Sequence, residues 1–393
     1  MIEVNPLQLD HRQEYALYVH IPFCWYKCHY CDFFSSVGVQ ESLRIRVIER
    51  IITEIPYQLQ HLGVTQLSSV YIGGGTPSLL TEEQVSRLLN TVQGYQPQQI
   101  TIEMNPEDIT PLWLNALKLE RWSNVRLSMG IQTFHQASLS AVGRNTTLEQ
   151  TVQSLQYLES YKHRLNLDLI AGLPYHTEKI VRDDMHRLLE YNPSHISLYS
   201  LAMEQGTILT HRNHPYLPTE EDRSIQWQIS QELLQKAGYV QYEISNYARD
   251  IQDRSRQNLH YWQLKPYIGI GPGAVGTLVY RNGSAVRVSG KKSLQDWSNP
   301  DKHDLWEYET VDQQNFLFEH YMMGLRTVIG VDKVILEQRF GAKGIDPWRQ
   351  LEQSKWRGYM QESQTSLVLS AEGRLFLDSL LLDLIDLIDL CRG

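Results

Sequence analysis

Six short runs rich in β-branched and aromatic residues recur along the first half of the chain: ALYVHI (16–21), SSVYIG (68–73), ITIEM (100–104), VRLSMGI (125–131), LNLDLI (165–170) and HISLYSL (195–201). Amphipathic stretches separate them, such as TEEQVSRLLNTVQ (81–93), where Thr81 is placed to cap a helix. Strand-helix alternation of this kind reads as parallel βα units closing into a barrel or part of one. The expected fold class is therefore α/β, with a partial TIM-type (β/α)6 barrel over residues 1–210. In such a fold the chemistry sits at the C-terminal ends of the strands. After about residue 210 the pattern changes to a helix near 220–237, a strand-like YVQYEISNY (239–247) and a glycine-rich loop, YIGIGPGAVG (267–276). Residues 211–310 are expected to extend the barrel, and 311–393 to form a mainly helical or winged C-terminal module.

Composition narrows the function classes. With 393 residues, 42% of them hydrophobic, the chain can fill a large core. Lys and Arg number 36 against 45 Asp and Glu, a net charge of −9, so no general basic surface exists to draw in a nucleic-acid backbone. The N-terminus shows no basic start, apolar run and cleavage site, so no signal peptide is expected. Four cysteines are too few for a disulfide framework, which points to a reducing, cytoplasmic setting. The most apolar stretch, 375–391, is interrupted by Asp378, Asp383, Asp386 and Asp389, which argues for an amphipathic terminal helix and against a membrane span.

Three of the cysteines, Cys24, Cys28 and Cys31, fall within HIPFCWYKCHYCDFF (20–34), directly after the first strand, and Cys391 stands alone near the far end. The spacing C-x3-C-x2-C lets one loop point three sulfurs at one centre, which is metal-site chemistry. One reading is structural zinc completed by His20 or His29, although zinc fingers usually split their ligands into two distant pairs. The other is an iron-sulfur cube, which wants four ligands; three thiolates leave one iron open to bind the amino and carboxylate groups of S-adenosylmethionine (SAM). Further strand ends carry polar residues inside apolar runs, Glu103, Gln132 and Asp168, which serve either as satisfied core groups or as ligand contacts. YIGGGTPS (71–78) lets backbone pass close to a ligand, or simply makes a tight turn; with no following GK[ST] it is not a phosphate loop. GPGAVG (271–276) mimics a dinucleotide fingerprint but precedes a strand, so it is expected to be a loop over the barrel mouth.

C-x3-C-x2-C after the first strand of a βα series resembles the signature of the radical SAM superfamily. The closer likeness is to the oxygen-independent coproporphyrinogen III oxidase-like family and, within it, to the HemW-type heme chaperones. The resemblance implies a [4Fe-4S] cluster on Cys24, Cys28 and Cys31. It implies SAM held by Tyr18, Tyr30, Gly74, Gly75, Thr76, Glu103, Gln132, Arg144, Asp168, Ala202 and Val275. Two functions compete: oxidative decarboxylation of porphyrinogen propionates, and binding of heme for delivery to recipient proteins. The oxidases carry a fourth cysteine two residues after the third, where this chain has Phe33, and a longer N-terminal segment; both departures favour the chaperone. The partners implied are heme and heme-recipient proteins, with peripheral contact to membrane-bound recipients. The family's heme-linked H-N-x-x-Y-W stretch is matched by RQNLHYW (256–262) except that Gln257 replaces the histidine. His260 is then the nearest imidazole for heme iron, with Tyr261 and Trp262 beside the porphyrin; alternatively the stretch is an ordinary Tyr-Trp core strand.

Overall fold

The computed structural model describes residues 2–212 and 214–390. The six expected strands form: β1 (Tyr15–Ile21), β2 (Leu67–Gly74), β3 (Gln99–Met104), β4 (Val125–Gln132), β5 (Leu165–Ala171) and β6 (His195–Ser200). They pair in sequence order and in parallel. The sheet continues beyond both ends of that series. The 239–247 stretch, expected as one strand, is a hairpin of β7 (Val240–Gln241) and β8 (Asn246–Ala248), with β8 antiparallel to β6. The glycine-rich segment opens with a strand, β9 (Tyr267–Ile270), which lies parallel to β1 on its free side. From β9 the sheet runs antiparallel through β10 (Val275–Val279), β11 (Ala285–Gly290) and β12 (Trp306–Val311), giving an open sheet of twelve strands.

Period-two alternation divides the parallel strands into an apolar outer face and a polar inner one. Val70, Ile72, Ile100, Ile102, Leu127, Met129, Leu165, Leu167, Ile196 and Leu198 are buried under the flanking helices. Facing each other inside are Tyr71 and Glu103, Ser128 and Asp168, and Asn166 with His195 and Ser197, all joined by hydrogen bonds. The helix Glu82–Gln93 starts as expected: Thr81 caps it, with Gln84 completing a reciprocal capping box.

Beyond β12, helices Gln313–Gly324, Lys333–Phe340 and Asp346–Glu352 pack with a three-stranded antiparallel sheet, β13 (Val331–Asp332), β14 (Met360–Glu362) and β15 (Ser366–Leu369). The terminal helix, Leu377–Leu390, buries Leu380, Leu384 and Ile388 in that module's own core. Its outer face is less polar than the aspartates suggest, because Leu382 is 69% exposed. Among the described residues no helix is long and apolar enough to cross a membrane. Cys391 lies outside the described residues.

Candidate metal centre and cofactor pocket

The loop leaving β1 is folded back on itself. Cys24 N donates to Ser36 O (3.1 Å), Ser36 N to Pro22 O (2.8 Å) and Cys31 N to Cys28 O (3.1 Å). Lys27 Nζ donates to the Phe33 carbonyl and to Ser35 Oγ, closing the loop from the side. The middle of the loop is fastened to the barrel by His29, whose N–H donates to Val142 O (2.8 Å) and whose carbonyl accepts from Leu209 N (2.8 Å). The cysteines are free, half-buried thiols. Burial raises Cys28 and pushes Cys31 up to about 11, so loading a metal must displace protons from them.

Zinc loses both of its proposed histidines here. His20 has one ring nitrogen on the Tyr18 hydroxyl (2.7 Å) and the other on Phe34 O (2.8 Å). His29 has Nδ1 on Ala141 O (3.1 Å) and its ring pressed on Gly143, where a Cβ would stand 2.7 Å from Nε2. Among the described residues no trio of His, Cys, Asp or Glu side chains converges closely enough for a single ion. The three thiols instead border one cavity of about 480 Å³ at the C-terminal ends of the strands, a donor set that suits a multi-iron cluster with one open corner.

The same cavity gathers most of the residues expected to hold SAM: Tyr30, Gly74, Gly75, Thr76, Glu103, Gln132, Arg144, Asp168 and Ala202 all line it. The glycines are there for space. Gly74 has φ 106°, and a Cβ on it would meet the His20 ring at 2.4 Å; one on Gly75 would strike Phe23 O at 2.5 Å. Thr76 Oγ1 donates to Cys24 Sγ (3.4 Å), linking this turn to the cysteine loop. Gln132 has φ 72° beside a register shift between β4 and β5, a backbone state that a non-glycine side chain resists. Glu103 accepts from Tyr71 Oη (2.6 Å) and Gly74 N (3.1 Å), and burial pushes its pKa up to about 7. Asp168 accepts from Asn166 Nδ2 (2.7 Å) and is likewise raised by burial. Arg144 spans the floor: its Nη2 donates to Gly130 O (2.8 Å) and Asn105 Oδ1 (3.1 Å), while Cys28 and Tyr30 lie beside it and Nε is buried without a protein partner.

Three expected residues stand elsewhere. Tyr18 sits on β1, one layer below the cavity, with its hydroxyl on His20. Val275 is 40% exposed, in register with Ser289 of β11. The loop before it does reach the barrel mouth: Gly271 (φ 122°) leaves no room for a Cβ against His20 O, nor does Gly273 against Phe34. His260 lies at the opposite, N-terminal ends of the strands. Its segment, expected as a strand if structural, is a helix, Arg256–Trp262, capped by Ser255. His260 is buried with Nε2 on Pro266 O (2.8 Å) and Nδ1 3.2 Å from Ser68 Oγ, and burial holds its pKa down to about 3. Gln257 accepts from Ser69 Oγ (2.7 Å), and the Tyr261 ring packs edge-on to Tyr267, 4.6 Å away. As folded, His260 offers no ring nitrogen to an iron.

The residues missed by sequence reasoning form the support of the cavity. Tyr71 and Asn166 hold the two carboxylates, Asn105 joins Arg144 to Thr76, and buried Arg126 draws the Glu103 and Asp168 pKa values down. Tyr71 and Asn166 stand two residues before Gly73 and Asp168 on the same strand faces, so the period-two pattern contained them.

Family models match in two places: the radical SAM superfamily over residues 18–188, and the HemN C-terminal domain over 311–376. A curated heme chaperone HemW from Haemophilus influenzae is 32% identical over 378 residues, covering 93% of this chain and 96% of that one. HemW of Escherichia coli is 29% identical over 386 residues, covering 97% and 98%. A solved structure of coproporphyrinogen III oxidase (HemN) from Escherichia coli superposes with a TM-score of 0.76 over 95% of this chain and 90% of that one, at 21% identity, which speaks to the fold. The radical SAM family implies a [4Fe-4S] cluster and SAM, and the donor set at the strand ends suits both. Aligned end to end with its relatives, the chain belongs to the HemW family of radical SAM proteins.

Proposed function

We propose that this chain is a radical SAM-type heme chaperone, which binds a [4Fe-4S] cluster, SAM and heme and passes the heme to recipient proteins in the cytoplasm or at the membrane surface. The observation that carries the reading is the meeting of Cys24, Cys28 and Cys31 with the glycine turn and the half-buried carboxylates of Glu103 and Asp168 on one cavity, in a chain whose relatives over nearly its whole length are named heme chaperones. When bound, the cluster and SAM would supply one-electron chemistry. The chain's own part is to present three thiols from a loop fixed at both ends. In this reading Glu103 and Asp168 would meet a cationic ligand group, and Arg144, beside Cys28 and Tyr30, would steady the cysteine loop against the floor. Against the oxidase reading stands Phe33, 64% exposed at the position of that family's fourth cysteine.

The test is anaerobic reconstitution. About four irons and four sulfides per chain are expected, with an EPR signal altered by SAM. Hemin should then give a Soret band that passes to an added apo-hemoprotein. With SAM and a strong reductant, coproporphyrinogen should remain intact by chromatography. Stoichiometric zinc without sulfide, no uptake of hemin, or protoporphyrinogen accumulating over many turnovers would each overturn the proposal.

A further inference from the structure

Arg126 of β4 shares the inner face of its strand with Ser128, which lines the cysteine cavity, and so stands one layer below that cavity. It is only 7% exposed, and among the described residues its Nε is buried without a hydrogen-bond partner. A buried cation left like this is costly unless something else bonds it. Thr101 lies directly opposite on β3, and its hydroxyl is orphaned too. From below, the helix Arg256–Trp262 sets Gln257 against Ser69 of β2, and Gln257 Nε2 is again without a partner. Polar groups left open on facing elements suit ordered water, which needs two to four such partners.

Above Arg126 stand the half-buried carboxylates of Glu103 and Asp168. They accept hydrogen bonds from Tyr71, Gly74, Ser128 and Asn166, all of them uncharged. The Arg126 charge nevertheless reaches both and favours their ionised forms. The other titratable groups facing this interior supply no cation near neutral pH. Tyr18, Tyr71, Tyr199 and Tyr261 lose hydration inside the barrel and stay protonated. His195 is kept neutral by burial, with its ring nitrogens on Asn166 Oδ1 (2.6 Å) and Tyr242 Oη (2.7 Å). The other carboxyls nearby, Asp253 and Glu243, face Arg249 and Asn246.

We propose that Arg126 is a positioning residue of the cofactor pocket: through ordered water on its Nε it holds Glu103 and Asp168 ionised, so that the pocket presents one uncompensated negative charge to a cationic ligand. The proposal rests on the reading of this cavity as the SAM site. Two carboxylates against one guanidinium leave a single negative charge, and SAM, with its sulfonium, carries a single net positive one. Without Arg126 one carboxyl keeps its proton near neutral pH, and binding the cation must first expel it.

The experiment is equilibrium binding of SAM to the reconstituted full chain between about pH 6 and pH 9, for wild type, Arg126→Met and Arg126→Lys. Arg126→Met should move the pH at which affinity rises upward by about one pH unit or more, and so weaken SAM about tenfold at pH 7. Toward pH 9 its affinity should approach that of wild type, a recovery that a merely damaged pocket would not show. Arg126→Lys keeps the charge and should hold the wild-type midpoint. A midpoint unmoved in Arg126→Met, or moved equally in both variants, would overturn the role of Arg126 and leave the SAM site standing. A wild type that binds no SAM would bring down the reading of the cavity as well. If Arg126→Met does not fold, a crystal structure of wild type decides: ordered water on Arg126 Nε supports the proposal, and a guanidinium closed by protein groups alone overturns it.

Discussion

Glu103 shows how one residue can be costly to the fold and useful to the site. It is half-buried at the cavity wall beside Tyr71, Gly74 and Asp168, with its pKa pushed up to about 7 against an ordinary 4.5. Below pH 4.5 the carboxyl is protonated folded or unfolded and costs nothing. As pH rises from 4.5 to 7 the unfolded state ionises first, so stability falls, by about 3 kcal/mol in total. A cationic ligand group needs the ionised form, so SAM affinity should rise between pH 6 and 8. Glu103→Gln should flatten that profile, weaken SAM at pH 8 and make the apo-protein more stable there, as read by calorimetry and urea melts. A variant that keeps the wild-type profile would remove Glu103 from the SAM site. Gly75 makes a steric case: its added Cβ would press on Phe23 O at 2.5 Å and Ile21 O at 2.7 Å, both backbone atoms that cannot swing away. Gly75→Ala should therefore spread the glycine turn from the cysteine loop and lower both iron content and SAM affinity. Gly358→Ala, which meets nothing within 4 Å, should leave both unchanged.

At the scale of elements, the sequence was legible wherever one periodicity ran long enough to dominate. The six parallel strands and the Thr81-capped helix stand within a residue or two of their expected bounds, because apolar residues on every second position, or on one helical face, declare themselves locally. The convergence of Cys24, Cys28 and Cys31 on one cavity was legible as well, since the three are neighbours in the chain. Elements without such a pattern were not, β9 and the segment Arg256–Trp262 among them. β9 is only four residues long and owes its existence to the free edge of β1, a partner some two hundred and fifty residues away in sequence. The segment Arg256–Trp262 has aromatic residues that favour a strand, yet Ser255 caps it and the buried bonds of Gln257 and His260 to Ser69 and Ser68 seat it as a helix. That seating can be tested by pH. Folded His260 has a pKa near 3 against 6.5 unfolded, so its contribution is whole above 6.5 and is lost as pH falls toward 3. Between pH 7.5 and 5 it should cost wild type about 2 kcal/mol that His260→Gln does not lose. Urea melts at the two pH values should show the penalty of the substitution shrinking by that amount; a constant penalty would mean that His260 titrates normally and is not locked in the fold.

Among the described residues two large cores meet at a small joint, and a further apolar cluster of Val142, Ile170, Leu173, Leu201 and Leu209 lies beside Tyr30. One core fills the space between the sheet and its helices, and another fills the C-terminal module. The joint is a cluster of Leu264, Val279, Ala285, Val311 and Phe316, with Phe316 fully buried beneath the Arg339 guanidinium, 5.5 Å from the ring centre. Arg339 ties the module to the barrel by donating to Leu264 O (3.2 Å), and within the module it donates to His320 Nε2 (2.6 Å). Burial lowers its pKa to about 10, and among the described residues Nε and Nη2 find no hydrogen-bond partner; the Arg287–Glu319 ion pair and Val328 N on Tyr242 O (3.2 Å) cross the joint as well, and the apolar contacts of Phe316 complete the attachment. Phe316→Ala removes the largest of them at a typical cost of about 3–5 kcal/mol. Because each part keeps its own core, the loss should fall on the joint: thermal unfolding should split into two transitions, and limited proteolysis should cut near residues 311–313, where β12 passes into the module. The cysteine cavity is built from the strand ends and the loop between β1 and Ser36, remote from this joint, so iron content and SAM affinity should persist through the first transition. A single cooperative transition, with cofactor binding lost in step, would show instead that the two cores fold as one unit and that the module supports the site across the full width of the barrel.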